Sequence, residues 1–186
     1  MNYTDFSKNV LNWYSANKRD LPWRYKNNSP KDPYKIWVSE IMLQQTTVAT
    51  VIPYYKKFLK KWPNIKKLSK SNINEVLDFW SGLGYYRRAK NLHLTSRIIS
   101  NQFNGIFPLE KNEIIKLPGI GEYTAAAIRA IAKDEKDTVV DANIERVMAR
   151  IFYLKKPIKQ IKKEIKQNAE KLTPKFNNGD YIQALM

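Results

Sequence analysis

Apolar residues recur at helical spacing along almost all of the 186-residue chain, and that period excludes most folds before any motif is weighed. Only Thr138–Val140 reads as extended, and it is too short to be part of a sheet. The expected architecture is all-α. Phe6, Val10, Leu11 and Tyr14 mark an opening amphipathic helix, and the loop LPWRYKNNSPKDP, dense in proline, asparagine and charge, ends it. A long apolar segment, Tyr34 to Val51, follows, then PYYKKFLKKW as a shorter helix. NINEVLDFW opens with Asn72 placed to cap and Glu75 at capping-box spacing. Further helices are expected from about Arg87 to Phe103 and in PLEKNEIIKL, EYTAAAIRAIA, NIERVMARIFYL and IKQIKKEIKQNAEKL.

Within this helical chain the stretch LPGIGEYTAAAIRA poses a question. Asp141 stands twenty residues after Gly121, the distance at which a dinucleotide-binding fold keeps its ribose ligand. That fingerprint needs a strand before its glycines, and here Gly119 and Gly121 follow IIKLP, the end of a helix. Helix, tight turn and helix make a helix-hairpin-helix. Its glycines let the backbone approach an anion, and the first amides of the second helix, aided by the helix dipole, face a phosphate. A helix-helix turn with glycine caps is also common as plain structure, so the turn acquires meaning only from its company.

Charge supplies part of that company. The chain carries 33 basic and 17 acidic residues, a formal net charge of +16, which attracts polyanions such as nucleic acid or an anionic membrane. Lysine makes up 25 of the 33, as a biased nucleotide composition would also produce. Runs such as KKWPNIKK and IKQIKKEIK read as solvated helix faces that add salt-dependent affinity for any polyanion. A membrane-surface protein would suit the charge but leaves the glycine hairpin without a purpose. The opening MNYTDFSKNVLNWY lacks the apolar core of a signal peptide, no apolar run has membrane-spanning length, and there are no cysteines. An intracellular chain is expected, without disulfides or a thiolate metal site.

Two carboxylates are candidates for chemistry. Glu40 sits in IWVSEIMLQQTTV, among Ile36, Trp37, Val38, Ile41, Met42 and Leu43. Desolvated there, it holds a proton near neutral pH and has the profile of a general acid; on a polar stripe it is an ordinary solvent-facing glutamate, the commoner outcome. Asp141, in DANIER, is placed to cap a helix. A capping aspartate can also serve as a fixed anion. One acid and one anion are what cleavage of a glycosidic bond requires: the acid protonates the leaving group, and the anion stabilises or attacks the oxocarbenium-like sugar.

The succession LPWR, PYKIWVSEIMLQQT, GLGYYRRAKNLH, LPGIGEYTAAAI and VVDANIERV resembles the adenine DNA glycosylases of the MutY type, within the helix-hairpin-helix glycosylase superfamily. The likeness runs from about Leu11 to the end. It implies two helical subdomains: residues 23–134, six helices including the hairpin at 108–133, and residues 1–22 with 135–186. It also implies a monofunctional hydrolase of base excision repair that flips adenine mispaired with 8-oxoguanine or guanine out of the duplex and cuts its N-glycosidic bond. By motif position Glu40 matches the acid that protonates adenine N7, and Asp141 the carboxylate that stabilises the oxocarbenium ion. Tyr123 and Asn143 match residues that orient that group. Gln45 and Tyr85 match side chains that wedge into the base stack, and Arg24 matches a residue of the adenine pocket. Gly119, Gly121 and Tyr123 belong to the phosphate-binding hairpin.

The same resemblance implies double-stranded DNA with adenine mispairs as partner, no membrane, a monomer, and a cytoplasmic, nucleoid-associated or otherwise intracellular setting. A related enzyme, the endonuclease III type, acts on damaged pyrimidines and cuts the strand through a Schiff-base lysine, which would stand where this chain has Tyr123. A non-catalytic hairpin module that only binds DNA would share the charge and the glycine turn, but gives no reason for Glu40, Asp141, Gln45 and Tyr85 to occur together. Two features depart from the family. Its members continue into four cysteines holding a [4Fe-4S] cluster, and many into a further 8-oxoguanine-recognising domain; here the cysteines are absent. The sequence stops at YIQALM in mid-pattern of a helix, which reads as truncation, with the second subdomain incomplete. Glu145 replaces a basic or neutral residue and is expected to face solvent.

Overall fold

The computed structural model describes residues 3–25 and 31–186. Those residues are helical throughout their regular structure, with no strand among them. In chain order the helices are α1 (Tyr3–Asn17), α2 (Pro33–Leu43), α3 (Val48–Lys61), α4 (Ile65–Ser69), α5 (Ile73–Phe79) and α6 (Arg87–Gln102). They continue as α7 (Lys111–Ile114), α8 (Glu122–Lys133), α9 (Ala142–Ile151), α10 (Ile158–Leu172) and α11 (Asn178–Leu185). None is long and apolar enough to cross a membrane. The chain forms two compact units, Asp20–Ile128 and Met1–Arg19 with Arg129–Met186.

In the unit Asp20–Ile128, α2 starts where its sequence dictates. Asp32 caps it by accepting the Tyr34 amide at 2.9 Å, and Pro33 takes the first turn, where its missing N–H is no loss. Every residue from Ile36 to Met42 is buried, so α2 is a core helix rather than an amphipathic one. Against it stands an aromatic cluster. Phe58 meets Trp62 at 4.8 Å and Phe79 at 5.5 Å between ring centroids, and Trp37 meets Phe107 at 5.4 Å. On α6, Ala89, Leu92, His93, Ser96 and Ile99 are buried at helical spacing, and α4 packs against this helix. The chain's histidine is thus a core residue, its Nε2 2.9 Å from the Ser71 carbonyl oxygen.

Three local expectations change. The apolar segment Tyr34 to Val51 is not continuous helix: it breaks at residues 44–47, where Gln45 turns left-handed (φ 56°) and Thr47 caps the start of α3. The new helix then runs through Pro53 instead of beginning there. At α5, Asn72 does cap, accepting the Asn74 amide at 2.9 Å, and the Glu75 carboxylate reaches Lys61 Nζ at 2.8 Å. The helix read in PLEKNEIIKL shrinks to α7, a single turn. Lys116 and Leu117 bond three residues back, to Glu113 and Ile114, because Pro118 disfavours helical backbone in the residue before it.

The other unit is built from α1, α9, α10 and α11, with α1 against α10 and α11, and α9 against α10. Ile144 and Met148 on α9, and Ile161, Ile165, Ala169 and Leu172 on α10, supply its buried stripes. The Asp134 carboxylate accepts the backbone amides of Asn177 (2.7 Å) and Gly179 (3.1 Å), satisfying the start of α11 from a distant loop. Gly179 is required there, since a Cβ would lie 2.8 Å from the Ala130 carbonyl oxygen.

Candidate functional site

Glu40 lies in the last turn of α2 and is 9% exposed. The solvent-facing alternative is thereby removed: the carboxyl belongs to a run, Ile36 to Met42, in which every residue is buried. Among its neighbours along that helix, Trp37, Val38 and Met42 are inaccessible to solvent.

The end of that helix is finished by a residue that sequence reading passed over. Arg88, 8% exposed, donates from one terminal nitrogen to the carbonyl oxygens of Ile41 (3.1 Å), Met42 (2.9 Å) and Gln44. Its other terminal nitrogen donates to Leu83 O (2.8 Å), Gly84 O (3.1 Å) and Thr46 Oγ1 (3.1 Å). A helix leaves its last carbonyls without partners and its C-terminus partially negative, so a guanidinium suits both needs. Burial lowers the affinity of Arg88 for its proton, and the nearby Tyr85 opposes that shift.

Gln45 and Tyr85, the two candidate wedges, flank this guanidinium. Both have left-handed backbone, φ 56° and 48°, and both are exposed, Tyr85 at 63%. The Tyr85 ring lies 5.5 Å from the Arg88 guanidinium carbon. Gly82 and Gly84, at φ 96° and 69°, permit the turn that presents Tyr85, and a Cβ on Gly82 would collide with the Tyr54 hydroxyl. An open depression of about 470 Å³ runs beside them, lined by Gln44, Gln45, Tyr85, Tyr86, Arg87 and Asn91 together with Arg88. Exposed aromatic faces among cationic and amide groups suit unstacked bases.

The glycine hairpin is fastened to α6, three residues beyond Arg88 and further along. Thr95 Oγ1 donates to the Pro118 carbonyl at 2.9 Å, and Asn91 lies under Gly119, where a Cβ would come within 2.8 Å of the Asn91 Cβ. Gly119 is left-handed (φ 80°), whereas Gly121 meets nothing within 4 Å. Both are exposed, and α8 begins at once with Glu122 and Tyr123. Tyr123 is half-buried in that first turn. Arg24 is half-buried in the turn before α2, its amide bonded to Leu21 O at 2.9 Å.

The second carboxylate belongs to the other unit. Asp141 caps α9: one oxygen accepts the Ile144 amide at 2.7 Å, and the other accepts the Asn143 side-chain amide at 3.2 Å. The Asn143 amide also lies 3.4 Å from the Met186 carbonyl oxygen. Glu145 is half-buried rather than fully solvent-facing. Among the described residues no group of histidines, cysteines or acids is arranged to hold a metal. The iron–sulfur cluster implied by the family does not fit these residues, because ligation needs thiolates and the sequence has no cysteine.

Helices without strands, and a glycine turn leading into α8, are the parts of a helix-hairpin-helix architecture. The chain belongs to the HhH-GPD superfamily of base excision DNA repair proteins, whose family pattern matches residues 38–175. It is 47% identical over 182 residues to an adenine DNA glycosylase of Buchnera aphidicola subsp. Baizongia pistaciae, covering 97% of this chain and 51% of that protein. To the human adenine DNA glycosylase it is 38% identical over 190 residues, covering 98% of this chain and 35% of that protein. The chain therefore spans about half, or less, of the length of these relatives. Among solved structures it resembles a thermostable thymine-DNA glycosylase (TM-score 0.86, 31% identity, 99% of this chain and 84% of that one). A non-covalent endonuclease III–DNA complex shares the fold (TM-score 0.73, 18% identity, 98% and 85%).

Proposed function

We propose that the chain is the catalytic part of an adenine DNA glycosylase that excises adenine mispaired with 8-oxoguanine or guanine from duplex DNA. The observation that carries this reading is the burial of Glu40, a carboxyl side chain in the uninterrupted buried run from Ile36 to Met42. In the proposed reaction Glu40 gives its proton to adenine N7, the bond from the sugar C1′ to N9 breaks with its electron pair leaving on the base, and an oxocarbenium ion remains. Asp141 stabilises that cation, held in place by the Ile144 and Asn143 amides. Water then adds at C1′ and releases a proton, giving free adenine and an abasic site.

Gln45 and Tyr85 fill the gap in the stack, Arg24 serves the flipped base, Tyr123 belongs with Asn143 to the catalytic set, and Gly119 and Gly121 admit a DNA phosphate to the start of α8. Adenine is favoured over a pyrimidine substrate by the names of the relatives at 38–47% identity. Tyr123 has no amine with which to form an imine, so base removal proceeds without strand cleavage. No cofactor takes part through these residues, and the protein acts as a monomer where DNA is housed. The test is a glycosylase assay on a duplex with adenine opposite 8-oxoguanine, followed by alkali. The expected result is scission at the mispaired adenine and none opposite thymine; an intact strand would remove the activity from this chain.

A further inference from the structure

Gln45 and Tyr85 stand on loops far apart in sequence, and both hold left-handed backbone that side chains of their type rarely adopt. Such a conformation persists only where the surroundings enforce it. Arg88 is what the two loops share. On the Gln45 side it holds the carbonyl of the preceding residue, Gln44, and the hydroxyl of the following one, Thr46. On the Tyr85 side it holds the carbonyls of Leu83 and Gly84, immediately before the tyrosine, and lies against the tyrosine ring. Trp80 closes the arrangement, its Nε1 donating to Gly84 O at 3.0 Å and its ring 5.5 Å from the guanidinium carbon. Four terminal N–H groups face six neutral oxygens, so some bonds are shared. A lysine, with a compact ammonium and no planar fork, does not span two loops in this way.

We propose that Arg88 is a positioning residue that locks Gln45 and Tyr85 at one separation, so that both enter the base stack as a single rigid wedge. The inference rests on reading those two residues as wedges and deepens it; Arg88 itself is 8% exposed, its terminal nitrogens taken up by the two loops. Binding of duplex through phosphates does not require the lock, whereas unstacking beside the mispair does. Loosening it therefore separates affinity from flipping.

The experiment places 2-aminopurine beside the 8-oxoguanine of a mispaired duplex and follows its fluorescence, which rises on unstacking, together with duplex affinity, single-turnover adenine release and helicity. The parent chain, R88K, Y85A and the double variant are compared. R88K is expected to bind duplex nearly as the parent does, lose most of the fluorescence gain and slow release about tenfold, with the double variant little worse than either single one because the residues act as a unit. T46V, which deletes one acceptor and leaves the guanidinium in place, is expected to show the same loss in weaker form. A parent chain without any fluorescence gain would refute the wedge reading itself. A gain in the parent that persists undiminished in folded R88K, or in T46V where R88K does not fold, would overturn the role of Arg88.

Discussion

Asn143 donates its side-chain amide to the Asp141 carboxylate at 3.2 Å, on the oxygen that does not already accept the Ile144 amide. Capping and anion placement are thus one geometry. The carboxylate that begins α9 is held by both oxygens, one through the backbone and one through a side chain two residues on. In Asn143→Ala the capping bond to Ile144 survives and the second restraint is lost. Single-turnover adenine release is expected to slow by about tenfold or less, as suits one hydrogen bond, with thermal stability little changed. In Asp141→Asn the anion itself is lost and release should fall much further.

The two hairpin glycines are not equivalent. Gly119 is left-handed and a Cβ there meets Asn91 at 2.8 Å, whereas Gly121 is unobstructed. Gly119→Ala is expected to cost more than about 1 kcal/mol in thermal or denaturant unfolding and to weaken duplex binding. Gly121→Ala is expected to unfold within about 0.5 kcal/mol of the parent.

Tyr123 lies in the first turn of α8 and has no amine, which imine formation with the sugar would need. Tyr123→Lys is expected to give a borohydride-trappable protein–DNA adduct and some nicking, visible as a shifted band on a denaturing gel. The parent chain should give neither.

Burial pushes the hydroxyls of Tyr34, Tyr55 and Tyr181 above the ordinary tyrosine range, with Asp32 adding to the effect at the first and Tyr25 and Asp32 at the second. Unfolded tyrosines release their protons near pH 10, while these stay protonated in the folded protein. Their contribution is present below about pH 10 and is lost as pH rises above it. The thermal midpoint should fall steadily from that point, and less steeply in Tyr55→Phe, although that variant gives up a 3.2 Å bond to Lys35 O.

Helical period, the glycine turn and the cap at Asp141 were legible in the sequence because each is written in neighbouring residues. The face taken by Glu40 was not, since apolar residues surround it along α2 and only packing decides whether the one acid among them is covered. The break after Leu43 was hidden for a related reason: QQTT contains no glycine or proline, and the left-handed turn at Gln45 is enforced by an arginine more than forty residues away. Arg88 in turn hides in RRAKNLH, where it reads like its exposed neighbour Arg87. Only the glycines of SGLGYY, ahead of a basic pair, hint that a buried cation follows.

Glu40→Gln tests the central claim most directly. It keeps the size and hydrogen-bonding reach of the side chain and removes the proton donor. On a duplex carrying adenine opposite 8-oxoguanine, single-turnover release of adenine is expected to fall by about 10²–10⁴, while the dissociation constant for the duplex stays close to the parent's. Release at an undiminished rate would contradict the assignment of Glu40 as the acid and, with it, the proposed mechanism.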